Sequence, residues 1–223
     1  MQDTYIGDEG KGFPLVLVHG FLGSSKMWKP QIDFFKDHFR IITPDLPGFG
    51  KSKKAKSHNS IQSIANLLLD CLEEKKIDTV FGIIGSANAY IFDSIAKKGY
   101  TKIVYTHHEQ AAVMSAGAYY RASGKLSIAI VTAGGGASNA ITGVLSNWAD
   151  SIPCIILAGQ ESSFYVKNQK HLRMIGTQGF NASGMVNSIV KKSKCILKKN
   201  DVIKSLEEAY YYCLEGSSTL FVG

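Results

Sequence analysis

The fold is decided by the stretch Thr101-Lys-Ile-Val-Tyr-Thr-His-His-Glu109-Gln-Ala-Ala-Val-Met-Ser-Ala-Gly-Ala-Tyr-Tyr-Arg-Ala-Ser-Gly-Lys125, which runs on through Gly134-Gly-Gly136 to Cys154-Ile-Ile-Leu-Ala-Gly-Gln160. A short apolar strand over 102–106 leads to one acidic residue, Glu109. A helix of small residues fills 109–123, and Gly124 closes it. A second strand, 127–133, ends in the glycine triplet, a helix follows over 137–149, and 154–158 is a third strand. Strands that alternate with helices predict a parallel sheet, because parallel strands need a crossover between them.

The alternation continues outward. Residues 79–84 form a strand and 89–98 a helix that Gly99 stops; 193–197 form a strand, 201–215 a helix with Asp201 as its N-cap, and 219–222 a last strand. Residues 161–181 read as a long connection. Towards the N-terminus, 14–19 and 39–44 are strands, 28–39 has mixed helical spacing, and 45–56 is a Gly/Pro/Lys loop. Apolar residues at 61, 64, 65, 68, 69 and 72 predict a helix over 61–75, capped by Asn59 or Ser60. The expected class is α/β, with a mainly parallel sheet and helices on both faces. The expected domains are 1–76 and 77–223. No linker composition marks the seam near 76–79, so the two parts are expected to share one sheet.

Composition narrows the function. In 223 residues, 45% hydrophobic content supports a buried core and argues against disorder. No apolar run approaches the roughly 18 residues that suggest a membrane span, and the polar, Gly-rich first residues do not resemble a signal peptide. The four cysteines show no CxxC spacing and read as reduced thiols, so a cytoplasmic protein is expected. The net charge of +7 comes with lysine clusters at 51–56 and 191–199, without the arginine and aromatic pattern of a nucleic-acid surface. A solvated lysine face, with neither nucleic acid nor membrane as partner, is the expectation.

Residues Leu15-Val-Leu-Val-His-Gly-Phe-Leu-Gly-Ser-Ser-Lys-Met-Trp28, followed by Pro44-Asp-Leu-Pro-Gly-Phe-Gly-Lys-Ser52, resemble the opening of the α/β-hydrolase fold. That resemblance implies an oxyanion turn after His19, with Phe21 and Leu22 supplying backbone N–H groups, and a serine nucleophile at Ser86. Ser86 follows a strand as a nucleophile must, but Ile84 and Asn88 stand where a tight elbow needs small residues. Asp150 and His171 are candidates for its acid and base by chain order alone. Gly50-Lys51-Ser52 imitates the end of a P-loop, yet Asp45 occupies the position of that motif's first glycine.

From Ile77 onward a second resemblance takes over. Asp78-Thr-Val-Phe-Gly-Ile-Ile-Gly85, His107-His-Glu-Gln-Ala-Ala112, Thr132-Ala-Gly-Gly-Gly-Ala-Ser-Asn139, Trp148-Ala-Asp-Ser-Ile-Pro153 and Leu172-Arg-Met-Ile-Gly-Thr-Gln-Gly-Phe180 are similar, in order, to the motifs of the pyrimidine-binding (PYR) domain of acetolactate-synthase-like thiamine-diphosphate enzymes. The resemblance implies a carboligase or 2-oxo-acid decarboxylase. In that family a glutamate hydrogen-bonds the cofactor's pyrimidine N1′ and favours the imino tautomer, whose 4′-imino group takes the C2 proton of the thiazolium. Glu109 matches that glutamate, and Gly85, Thr132, Gly135 and Asn139 match its surroundings. Gln178 and Phe180 fall where the substrate side would be.

The residues also carry plainer readings. Glu109 suits a helix N-terminus, Asn139 a backbone cap and the triplet an ordinary turn. Ser86 reads equally as a polar turn residue. Tyr119, Tyr120, Tyr210, Tyr211 and Tyr212 suit helix packing or a dimer face. His107 and His108 point to opposite faces if extended, so no metal site is expected from them. Two departures stand out. Gly135 occupies the place of the family's proline, and the family's Gly-Asp-Gly…Asn motif for diphosphate and Mg2+ is missing from the 223 residues. Thiamine diphosphate is the expected cofactor, with Mg2+ held through a diphosphate-binding domain that belongs to a partner or to missing C-terminal domains; FAD is left open. A homodimer or a diphosphate-binding-domain subunit is the expected partner, and a small 2-oxo acid the expected substrate. The remaining alternatives are a serine hydrolase using Ser86 and a non-catalytic truncated fusion.

Overall fold

The computed structural model describes residues 5–20, 23–46, 49–52, 61–169, 171–214 and 218–222. Contacts divide the chain into two units, Met1–His58 and Asn59–Gly223.

In the first unit, β1 (Ile6–Glu9) and β2 (Phe13–Val16) are followed by a 3-10 turn over Ser25–Trp28 that runs into α1 (Lys29–Phe35), and then by β3 (Phe39–Pro44). Proline in the first turn of α1 suits a position whose N–H has no helical acceptor. The three strands form a sheet of order β1-β3-β2. β3 pairs antiparallel with β1 and parallel with β2.

Asp45, just past β3, anchors the loop that follows. It is 1% exposed. Its Oδ1 accepts the Ser25 N–H at 2.5 Å and its Oδ2 the Lys51 N–H at 2.7 Å. Burial pushes the Asp45 carboxyl up, but the Lys51 and Ser25 hydrogen bonds and the nearby His19 outweigh this and hold it below its ordinary value. His19 is itself buried, with Nδ1 against the Gly20 carbonyl at 2.8 Å and Nε2 accepting the Leu46 N–H at 3.0 Å. Those partners assign the proton to Nδ1 and leave the ring engaged in the fold.

The second unit opens with α2 (Ile61–Glu74), β4 (Thr79–Gly82), α3 (Ala89–Lys98) and β5 (Lys102–Tyr105). It continues with α4 (Glu109–Ser123), β6 (Ile128–Val131), α5 (Gly135–Asn139), α6 (Ile141–Ala149) and β7 (Cys154–Ala158). Then come α7 (Ser163–Asn168), α8 (Ala182–Val186), β8 (Lys192–Cys195), α9 (Val202–Leu214) and β9 (Ser218–Val222). The six strands are all parallel, in the order β5-β4-β6-β7-β9-β8. The chain leaves β4 towards β5 and returns on its other side as β6. This makes the carboxyl ends of β4 and β6 a topological switch point, the place where open α/β sheets bind ligands.

Alternation along the central strands sorts the core by size. Ala129, Val131, Cys154, Ile156 and Ala158 face one cluster, and Ile128, Ile130, Ile155 and Leu157 face the other. The smaller residues meet α4 and α6, which lie close together because their contact surfaces are small. Any Cβ on Gly117 would strike the Asn147 side chain, and one on Gly143 would come within 2.8 Å of Val113 Cβ. Buried Asn147 donates to the Val113 carbonyl at 3.1 Å and ties the two helices together. The larger residues meet α2, α3 and α9 through Leu68, Leu72, Phe92, Ile95 and Leu206. At the amino end, Tyr119 and Lys125 each donate to Asp78 at 2.6 Å. These two bonds hold the Asp78 carboxyl below its ordinary value and fasten the end of α4 to the start of β4.

Several expectations are corrected. The two parts do not share a sheet: β1–β3 and β4–β9 form separate ones. The helix expected over 137–149 is two helices meeting at Ala140. The connection 161–181 carries α7, started by the Ser162 side chain accepting the Phe164 N–H. β1 escaped the reading because Ile6-Gly-Asp-Glu9 has one apolar residue; its partner strand creates it. α2 packs on α3 and α9 and so lies in the second unit. The proposed caps Asn59 and Ser60 lie outside the described residues.

The depressed Asp45 carboxyl contributes stability at neutral pH that is lost as pH falls below its ordinary value of 3.8 and through its folded value. Trp28 and Trp148 report on the two units separately. Asp45→Asn is expected to cost the first unit about 2 kcal/mol at pH 7 and to flatten the acid dependence of Trp28 fluorescence, leaving Trp148 unchanged.

Candidate functional site

The switch point brings three sequence motifs to one place. β4 leads through Ile83 and Ile84 to Gly85, β6 runs on into Thr132 and the glycine triplet, and α4 starts at Glu109. The His108 side chain caps α4 by accepting the Gln110 N–H at 3.2 Å, which sets Glu109 as its first residue. Glu109 is 9% exposed although it is an acid at a helix tip. Its Oε2 accepts the Asn139 Nδ2–H at 3.1 Å. A Cβ at Gly136 would stand 3.0 Å from its Oε1, so the second glycine-turn backbone lies against the carboxylate. The same imaginary carbon would be 2.6 Å from Thr132 Cγ2, and one at Gly85 would overlap the Thr132 side chain. Gly85, Thr132, Gly136, Glu109 and Asn139 thus form one continuous patch. Asn139, the last residue of α5, is exposed and spends its amide on the acid rather than on a backbone cap.

Two polar atoms in this patch are left over. Thr132 Oγ1 is buried without a hydrogen-bond partner. Glu109 uses Oε2 on Asn139, and among the described residues no hydrogen bond reaches its Oε1. A buried hydroxyl without a partner costs about 1–3 kcal/mol, and a ligand with ring nitrogens or an amino group would satisfy both atoms. The donor set therefore fits a heteroaromatic ring such as an aminopyrimidine.

The β4 turn is built by Asn88, which the sequence marked only as too large for a nucleophile elbow. Buried, it accepts the Gly85 N–H at 2.7 Å and donates to the Ile83 carbonyl at 3.0 Å. Ser86 is exposed in this turn and does not have a positive φ; among the described non-glycine residues only Lys76 and Ser151 do. The strained turn of a nucleophile elbow is therefore not formed. Asp150 is paired with Arg121, and no hydrogen bond among the described residues joins Ser86 to Asp150 or His171. Phe21 and Leu22 lie outside the described residues.

Gln178 is brought to the rim. A Cβ at Gly134 (φ +65) would stand 2.5 Å from its carbonyl oxygen. Phe180 instead packs against the core cluster of α4 and α6, and its carbonyl accepts from Gln160 at 3.0 Å. Glu161, which the sequence reading passed over, holds this loop: its Oε1 accepts the N–H groups of Thr177 (3.2 Å) and Gln178 (3.0 Å). The only signal for it in the sequence is an acid three residues past an apolar strand. A cavity of about 690 Å³ opens beside Ala133 and Gln178 and is also lined by Ser86.

Gly135 is exposed, has no need of a positive φ, and an added Cβ would meet nothing within 4 Å. As the first residue of α5 it suits proline, the residue the resemblance leads one to expect there. Gly135→Pro is expected to raise stability by about 0.4–1 kcal/mol through the unfolded chain, read as a higher denaturation midpoint at unchanged slope.

Comparison with known proteins places most of the second unit in one family. The family profile "Thiamine pyrophosphate enzyme, N-terminal TPP binding domain" matches residues 62–183. A profile of the alpha/beta hydrolase fold matches residues 14–86, so the first part of the chain is similar to that fold over a shorter stretch. Among curated relatives, the acetolactate synthase large subunit of Haemophilus influenzae is 34% identical over 155 residues, 68% of this chain and 26% of the relative. The chloroplastic acetolactate synthase of Arabidopsis thaliana is 32% identical over 68% of this chain and 22% of its own length. The acetolactate synthase isozyme 3 large subunit of Escherichia coli is 32% identical over 68% of this chain and 25% of its own length. The chain therefore spans about a quarter of the length of these relatives. With more than half of its residues matched to the profile and the patch around Glu109 assembled at the switch point, the chain belongs to the thiamine pyrophosphate enzymes through their N-terminal TPP binding domain.

Proposed function

We propose that Asn59–Gly223 binds the aminopyrimidine end of thiamine diphosphate and acts as the pyrimidine-binding half of an acetolactate-synthase-like carboligase or 2-oxo-acid decarboxylase. The reading rests chiefly on one observation: a shielded carboxylate with one oxygen fixed by Asn139 and the other unengaged, beside a buried hydroxyl without a partner. The relatives' names support the reaction class.

In this reading each residue has a physical task. Glu109 turns Oε1 towards a ring nitrogen and hydrogen-bonds it. Asn139 fixes the carboxyl plane by donating to Oε2. Gly136 lets backbone approach the acid where a side chain would exclude the ring. Thr132 offers its hydroxyl to the ring's polar edge, and Gly85 leaves room for it. Gln178, on the loop held by Glu161, covers the triplet and limits water at the substrate side. The cofactor, when bound, supplies the nucleophilic thiazolium carbon that this chain has no side chain to replace.

The diphosphate end and its Mg2+ are assigned to protein outside these 223 residues, because the Gly-Asp-Gly…Asn motif does not occur in them. Ala111, Met114 and Ala118 leave an exposed apolar face on α4 suited to a second copy of the chain or to a diphosphate-binding subunit. A 2-oxo acid is the proposed substrate.

Calorimetry separates the two ends of the cofactor. Thiamine, which keeps the pyrimidine and lacks the diphosphate, is expected to bind the wild-type chain, and Glu109→Ala to weaken it about tenfold, the size of one hydrogen bond to a charged group. Affinity unchanged by Glu109→Ala would contradict the assignment.

A further inference from the structure

The 690 Å³ cavity is larger than the pyrimidine patch needs, and Glu109, Thr132 and Asn139 do not line it. It lies over the carboxyl ends of β7 and β8, walled by α2, α3 and α9 through Leu68, Ile91, Val202 and Leu206. Three groups at its edge carry charge: Lys198, Lys199 and Glu161. The Glu161 carboxylate is occupied by the amides of Thr177 and Gln178. Neither lysine has an ion-pair partner among the described residues. The first turns of α3 (Tyr90, Ile91) and α9 (Val202) also line the space and bring two helix N-termini to it. The partial positive end of α3 adds to the lysines, while Asp201, directly before α9, offsets that of the second helix. The result is a mostly apolar chamber with an unbalanced positive edge, in the size range of small-molecule sites.

We infer that this chamber is a binding site for an amphipathic carboxylate: a medium-length apolar chain among Leu68, Ile91, Val202 and Leu206, with its acid group at Lys198 and Lys199. Charge complementarity selects the head group, and the apolar walls select the tail. The site is separate from the one assigned to the cofactor and does not depend on that assignment. Because Ala133 and Gln178 border both, a bound acid would sit next to the glycine triplet.

Decanoate is a direct probe, titrated into the full chain by calorimetry without cofactor, with decylamine as the charge-reversed control. The expected result is saturable binding of decanoate and none of decylamine. Lys198→Ala combined with Lys199→Ala should weaken decanoate about tenfold. Val202→Trp, which fills the chamber from a half-buried position in the first turn of α9, should abolish binding. A melting curve qualifies each variant, and the lysine pair lies at the edge, where folding is not at stake. No decanoate binding to the wild type, equal binding of decylamine, or undiminished binding in the lysine variant would overturn the inference. Loss of decanoate binding with thiamine binding intact, or the reverse, tells the failure of one site from that of the other.

Discussion

An acid removed from water stays in place only when its oxygens are held, and the second unit is organised around holding one. Glu109 begins α4, Asn139 ends α5, and the bond between them ties the two crossovers that flank β6. That bond requires the glycine turn to pass directly against the carboxylate, which Gly136 permits. It also requires α4 to stay in register with the sheet, which the Asp78 clamp at its far end ensures through Tyr119 and Lys125. The small residues Ala112, Ala116 and Gly117 then let α6 lie close to α4. Removing the carboxylate's partners would leave a buried charge with nothing to offset its lost hydration.

Much of this was legible in the sequence where local chemistry decides structure. Helix 89–98 and its glycine stop, helix 109–123 and its glycine stop, and strand 154–158 all occur as read. In each case a run of apolar or small residues ends at a glycine suited to a left-handed cap or a turn. Glu109, Gly85 and Thr132 were legible only as motif positions; their adjacency is a product of strand order, which no local pattern encodes.

What escaped the reading depends on partners distant in sequence. β1 exists because Ile41 and Ile42 stand opposite it, and its own residues give little sign of a strand. Asn88 was read against a nucleophile elbow, and its role is to knit the backbone of the turn. Glu161 gains its role from amides sixteen and seventeen residues later. The seam was also misleading. Composition is continuous across it, yet α2 has its apolar face on α3 and α9, and the two sheets are separate.

The chain thus joins a short hydrolase-like unit, held at its centre by the buried Asp45, to a larger unit whose switch point presents one shielded acid. The most direct measurement is an amide NMR titration of the full chain with thiamine diphosphate and Mg2+. The account predicts shifts concentrated at Gly85, Gly136 and Asn139, lost in Glu109→Ala. Shifts confined to the first unit, or none at the glycine triplet, would contradict it.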